Sequence, residues 1–316
     1  MSCLEKGLKI RLDGKLKHLQ AIRPLSSSAV LKLKEQFGIE MTYNSNAIEG
    51  NRLTLKETYL VLNEGITIKG KSLKEHLEAK DHYEALNYLC DFIEKDSRHT
   101  ISEVFIRNIQ QLIVKDTDPE FAGSYRTGAV MITGSNRVPP EAGLISTEMN
   151  KLIRWVQKER KGLHPIELAA ILHHKLVFIH PFFDGNGRTA RLIMNLFLMQ
   201  SGYPLVIVLK NDRKRYYDSL TKADAGNYFA FVRFIALAVE RSLNIYLKAL
   251  LPSSQNTETF VPLSVISKKV SYSEKYLNFL AVTGKIEAHK EKRNWITSPE
   301  AVERYIQNRM RKRKLK

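Results

Sequence analysis

The sequence predicts a mainly α-helical protein with one small β-hairpin and a C-terminal winged helix-turn-helix segment. Three observations predict it. Apolar residues recur at three and four positions over most of the chain, one short run alternates instead, and the composition turns basic beyond residue 251. At 316 residues and 43% hydrophobic content, the chain can bury a sizeable core.

The elements follow in order. The opening "MSCLEKGLKIRLDGK" is interrupted by charge every few residues and lacks the apolar run of a signal peptide. Residues 1–100 are expected to form an N-terminal helical region, and residues 101–250 the core. In "RTGAVMITGSNRVPP", Val130 and Ile132 lie on one side of a short extended run, a Gly-Ser-Asn turn follows, and a proline pair stops the strand, which together read as a hairpin. Met149, Leu152, Ile153 and Val156 make one helical stripe. Pro165 opens the next helix as its first residue, and "PIELAAILHHKLVFI" carries an apolar face up to His180. After a Gly-Asn-Gly turn, "RTARLIMNLFLMQSG" is apolar nearly all round, so it is expected at the centre, and Gly202 ends it.

"LPSSQNTETFVP", residues 251–262, has linker composition. Residues 253–316 then hold 14 Lys or Arg against 6 Asp or Glu. There, "LSVISKKV" reads as a short helix, and "SYSEKYLNFLAVTG" as a second, capped by Ser273 and stopped by Gly284. "KIEAHKEKRNWIT" reads as a charged hairpin and "SPEAVERYI" as the start of a last helix. Helix, helix, wing and helix in that order predict a winged helix-turn-helix over residues 263–316, whose Lys268, Lys269, Lys275 and "HKEKR" would meet DNA phosphates.

Composition narrows the partners. With 50 Lys or Arg against 33 Asp or Glu, a formal charge of +17 favours anionic partners such as nucleotides, nucleic acid or acidic proteins. Cys3 and Cys90 are too few for a disulfide framework or a thiolate cluster, which suits a reducing compartment, and the cytoplasm is the expected location. "LIMNLFLM" and "PLVIVL" fall short of the roughly 18 apolar residues that span a bilayer, so no membrane partner is expected.

The chemistry concentrates in "IHPFFDGNGRTAR", Ile179 to Arg191. A Gly-Asn-Gly at a helix N-terminus aims backbone N–H groups at one spot without Cβ obstruction, and the helix dipole adds positive potential, making a phosphate seat. Arg188 and Arg191, three apart, share a helix face and can grip further phosphate oxygens, which suits a di- or triphosphate. Asp184 is a hard oxygen ligand where Mg²⁺ bridging two phosphates would need one. His180 can take a proton from an attacking hydroxyl near neutral pH. Phe182 is expected to anchor the loop in the core so that its polar neighbours face outward. Together these parts predict phosphoryl or nucleotidyl transfer. His164, His173, His174 and His289 are expected to be ordinary packed or exposed histidines.

"HPFFDGNGRTAR" resembles the signature of the Fic family, H-x-F-x-(D/E)-G-N-G-R-x-x-R, and matches it at every fixed position. The resemblance implies transfer of AMP from ATP to a hydroxyl side chain of a target protein, with release of pyrophosphate. It implies His180 as the base, Asp184 as the Mg²⁺ ligand, and Gly185, Asn186 and Gly187 as the phosphate seat, with Thr189 also among the nucleotide-binding residues. Arg188 and Arg191 become the triphosphate clamps. "GSYRTGAVMITG" is similar to the family's flap, whose Ile132 and Thr133 would cover the nucleotide while its edge pairs with the target's main chain. "RYYDSLTKADAGN" is similar to the base-pocket segment, with Tyr216 and Tyr217 against adenine; Asp224 stands where related proteins often carry Asn, a departure that bears on base preference.

Upstream, Ser45 and Glu49 of "SNAIEG" could simply cap or decorate a helix, but beside a complete loop motif the hexamer fits the family's inhibitory motif, (S/T)-x-x-x-E-(G/N). The resemblance then implies that Glu49 pairs with Arg191 and keeps it from the γ-phosphate. Such a pair is worth up to roughly 4 kcal/mol gross, and about 2.7 kcal/mol surviving as bias would lower activity on the order of a hundredfold. Self-modification and a homo-oligomer that tunes Glu49 are further expectations. The alternatives are an ATP-sensing DNA-binding regulator, or an enzyme that uses another nucleotide donor or removes AMP.

Overall fold

The computed structural model describes residues 2–22, 27–95, 101–132, 137–250, 259–291 and 293–314. Its first half is a series of helices: α1 (Lys6–Ala21), α2 (Ser27–Ile48), α3 (Leu55–Asn63), α4 (Leu73–Lys95) and α5 (Glu103–Val114). Caps explain where they start. Thr54 accepts from the Glu57 N–H while the Glu57 carboxylate accepts from the Thr54 N–H, a complete capping box for α3, and Ser102 caps α5 by accepting from Phe105 N.

The core follows as α6 (Ile145–Glu159), α7 (Pro165–Ile179), α8 (Asn186–Gln200), α9 (Arg213–Asp224) and α10 (Phe229–Leu250). Met149, Leu152 and Val156 of the α6 stripe are buried, and Ile153 is half-buried beside them. Helix α7 starts at Pro165 as expected and packs along α8, which is buried over almost its whole circumference and is therefore central. Helices α5, α4 and α2 pack on α8 from one side, while α6 and α10 pack on α7. Gly202, at φ 87°, ends α8.

Beyond residue 258 the described elements are β1 (Val261–Pro262), α11 (Leu263–Ile266), α12 (Glu274–Val282), β2 (Ala288–Glu291), β3 (Asn294–Thr297) and α13 (Pro299–Lys314). The three strands form an antiparallel sheet in the order β1-β3-β2, with Val261 and Ala288 both opposite Thr297 and Glu291 opposite Asn294. Ser273 caps α12 by accepting from Tyr276 N, and Gly284 at φ 71° follows its end. Leu263, Ile266, Leu277, Leu280, Ile286 and Val302 make a hydrophobic cluster of their own.

One expectation is corrected here. The run expected as the first strand of a hairpin, through Val130 and Ile132, is in no strand among the described residues; its turn, residues 133–136, lies outside them, as does most of the expected linker. Among the described residues the run has no neighbouring strand to take its ladder hydrogen bonds, and Met131 is 95% exposed. The charged hairpin expected after α12 forms as β2 and β3, and it is bonded to the core. His289 is bonded to Asn244 of α10, Lys290 pairs with Asp212 at 2.6 Å, and Arg241 donates to the Lys290 carbonyl. Burial first, then the charges of Arg241, Lys15 and Lys248, push the His289 imidazole down to about 3.

Candidate active site

The site is built where α7 ends and α8 begins. His180 is the C-cap of α7, in the left-handed conformation at φ 52° and ψ 58°, and it is the only non-glycine residue with positive φ among the described residues. Its N–H still bonds Leu176 O, so the chain leaves the helix abruptly and turns the imidazole toward the loop. The ring Nδ1 lies 3.3 Å from Val177 O. Nδ1 is therefore the donor, and Nε2 carries the lone pair that can accept a proton. Burial pushes the imidazole down to about 4; the Val177 bond opposes this, and Arg137 and Arg126 add to it.

Phe182, fully buried, pins the loop to the core as expected. Asn186 does something the sequence reading did not anticipate. Its Oδ1 accepts from Phe182 N at 3.0 Å and its Nδ2 donates to Phe182 O at 2.8 Å, so the side chain braces the loop and only its backbone can serve a phosphate seat. Gln110 of α5 braces the loop from outside, donating to Asp184 O at 3.1 Å. Gly185 sits at φ 80°, and a Cβ there would come within 3.1 Å of Val114 Cγ1, so both the backbone angle and the space demand glycine. Helix α8 begins at Asn186, two residues earlier than the sequence suggested, which puts Asn186, Gly187 and Arg188 in the first turn with N–H groups that have no intrahelical partner.

The charged groups converge on that turn. Arg188, 2% exposed, donates from Nη2 to Asp184 Oδ1 at 3.0 Å, while its Nε and Nη1 have no hydrogen-bond partner among the described residues. Burial opposes ionisation of the half-exposed Asp184, yet Arg188, the Gly185 N–H and Lys74 outweigh it and hold the carboxyl below its usual range. Arg191, 1% exposed, donates from Nη2 to Glu49 Oε1 at 2.7 Å and to Ser45 O at 2.8 Å, and from Nε to Ser45 Oγ at 2.9 Å. A Cβ on Gly187 would lie 2.3 Å from Glu49 Oε1, so that carboxylate rests directly over the first turn of α8.

Other sequence-identified residues separate. Tyr217 is half-buried with Arg213 over its ring at 4.9 Å. Tyr216 is buried behind Arg191, its hydroxyl 3.0 Å from His173 Nε2, and burial raises its pKa. The Thr189 side chain is fully buried inside the helix packing, so neither Tyr216 nor Thr189 presents a side chain to solvent at the loop. Ile132 is half-buried, and Thr133 lies outside the described residues. Asp224 accepts from His174 Nε2 at 2.9 Å, which gives both residues a structural partner. Arg126 and Gln110 were missed as parts of the site, because each reaches it from a distant segment and neither carries a local signature; His173 is a packed histidine, as expected, bonded to Tyr216.

The donor set admits a divalent cation of one kind. No cluster of three or more His, Cys, Asp or Glu side chains suited to a metal occurs among the described residues, so an all-protein cage is not built here. One half-exposed carboxylate beside a helix N-terminus does fit a metal that keeps waters and takes its other oxygens from phosphates.

Comparisons with known proteins point to one family. A family model described as Fic/DOC family matches residues 100–198. The chain is 39% identical over 246 residues to a protein adenylyltransferase Fic of Nematostella vectensis, covering 77% of this chain and 56% of that protein. It is 39% identical over 239 residues to the protein of the same name from Drosophila persimilis, covering 75% of this chain and 46% of that one. The chain thus spans about half the length of the curated relatives it matches. Among solved structures, a Fic-domain-containing signaling protein from Bacteroides thetaiotaomicron superposes with a TM-score of 0.69 at 31% identity, over 77% of this chain and 96% of that one. Fic-1 from C. elegans, residues 134–508, gives a TM-score of 0.67 at 34% identity, over 76% and 73%.

Proposed function

Since this chain belongs to the Fic family, we propose that it is a protein adenylyltransferase, moving AMP from ATP to a hydroxyl side chain of a target protein or of itself. The observation that carries the reading is the pairing of an oriented acceptor with vacant donors. His180 offers Nε2 at the loop, and the buried Arg188, in the first turn of α8, has two guanidinium positions without a hydrogen-bond partner among the described residues. In the reaction His180 Nε2 takes the proton of the attacking hydroxyl, the hydroxyl oxygen bonds to the α-phosphorus, and the bond from that phosphorus to the bridging oxygen breaks, so pyrophosphate leaves with the electron pair. Arg188 and the N–H groups of the turn stabilise the negative charge. Asp184 would hold Mg²⁺, which supplies charge neutralisation on the phosphates when bound.

We further read Glu49 as a brake. Its carboxylate lies over the turn that would seat phosphate and holds the guanidinium of Arg191 at 2.7 Å, so ATP must displace it to use either. Residues 1–100, 101–250 and 263–316 serve as inhibitory region, catalytic core and winged helix-turn-helix module. The order α11, α12, β2–β3, α13 around a separate apolar cluster supports the last of these.

The experiment is incubation with α-labelled ATP, magnesium and an acceptor extract, followed by mass spectrometry of the adduct. Glu49→Gly should raise AMP incorporation about a hundredfold, and His180→Ala should abolish it with the melting temperature retained. Nucleotide binding without any covalent adduct in Glu49→Gly would replace the enzyme with a sensor.

A further inference from the structure

Arg126 has an arrangement that nothing in the adenylyltransferase reading requires. It is 3% exposed, and burial alone acts on its pKa, lowering it, so no carboxylate stands near enough to compensate its charge among the described residues. Its fork is spread over three backbone carbonyls: Nε donates to His180 O at 2.8 Å, Nη1 to Gly128 O at 2.9 Å, and Nη2 to Pro140 O. Its own N–H donates to Pro181 O at 2.9 Å. A buried guanidinium without a counter-charge is costly, and here all its compensation comes from backbone dipoles. Those dipoles belong to the residue that bears the acceptor imidazole and to both ends of the loop between residues 128 and 140. His180 is also the residue held in a backbone region that L side chains rarely adopt.

We propose that Arg126 is a positioning residue: one planar fork fixes the backbone of His180 relative to the two ends of the 128–140 loop, so the placement of Nε2 and the seating of that loop are set together. The proposal rests on the adenylyl-transfer reading for its kinetic consequence, but not for its structural one. A small displacement of a catalytic group is enough to cost about a hundredfold in rate. Glutamine cannot span three carbonyls, and lysine, a point charge, meets fewer of them than a planar fork does.

The test compares Arg126→Gln and Arg126→Lys with their parent, all carrying Glu49→Gly so that turnover is measurable as labelled AMP on the protein itself. Arg126→Gln should lower kcat about a hundredfold while the Kd for ATP stays within about twofold. The acid limb of its pH–rate profile should move upward from that of the Glu49→Gly parent, because a positive charge facing His180 has gone while Arg137 remains. Arg126→Lys should recover part of kcat. Parental kcat in Arg126→Gln would overturn the proposal. So would parallel losses of kcat, ATP affinity and melting temperature with the acid limb unmoved. If Arg126→Gln does not fold, Arg126→Lys decides: a kcat about tenfold below the parent with ATP affinity kept supports the assignment, and parental kcat removes it. Should the parent itself transfer no AMP, the function fails separately. Nitrogen-15 resonances of the His180 ring then read its setting without turnover, and an identical titration in parent and variant would overturn the positioning role.

Discussion

His180 shows how one residue can be set by its surroundings rather than its type. An unperturbed imidazole titrates near 6.5, but here burial dominates and pushes it down to about 4. The ring is therefore neutral at physiological pH, and transfer should stay level below neutrality and fall only as pH drops through about 4. A pH–rate profile of Glu49→Gly checks this, with its fall at or below that value because the carboxylate that raises the imidazole is gone, and an inflection near 6.5 would mean the acceptor is not as buried as described. The sign for stability is separate. The unfolded chain binds this proton below about 6.5 and the folded chain only near 4, so His180 costs stability increasingly as pH falls through that window. Asn186 makes the complementary point: the sequence singled it out as a nucleotide ligand, whereas packing turns its amide inward, where it closes the loop on Phe182.

At the scale of elements, α8 supplies most of the site because a helix that is buried nearly all round still leaves the N–H groups of its first turn without intrahelical partners. The stripe of Met149, Leu152 and Val156, the proline at the start of α7 and the caps of α3, α5 and α12 were legible locally, since each depends on neighbours within one or two turns. The hairpin was not, because a strand is specified by a partner and the alternating run through Ile132 has none among the described residues. Helix α1 is held to α10 by Arg11 and the fully buried Glu240, with bonds of 2.9 and 3.0 Å. Arg11→Met should strand that carboxylate and cost about 3–5 kcal/mol in urea denaturation. A loss under about 1 kcal/mol would show that Glu240 finds another partner or a proton.

Across the whole molecule, the basic C-terminal segment is tied to the core rather than held free of it. Lys290 meets Asp212, Lys15 meets Glu287, and Arg215 lies 5.6 Å from the centroid of Trp295. The contacts of Asp212 and Arg215 grip the start of α9, which carries Tyr216 to Arg191. They also use part of the wing that the sequence reading assigned to DNA. Lys268, Lys269 and Lys275 remain exposed. If DNA binds this segment through those three, the logarithm of affinity should fall with the logarithm of salt at a slope of about −3. No binding at low salt would leave docking on the core as the segment's role.

The sequence by itself determined the chemistry of the loop between α7 and α8, because twelve consecutive residues carry the acceptor, the carboxylate, the turn and both arginines, and short spacings fix which of them share a helix face. Through the family resemblance it also pointed to Glu49 against Arg191. Tertiary structure alone decided that Thr189 and Tyr216 turn inward, that His289 and Lys290 are spent on the core, and that Arg126 reaches the carbonyl of His180 from 54 residues away. The physical reason is the same in each case: which polar atom a buried side chain meets depends on how helices distant in sequence pack, and no local spacing encodes that.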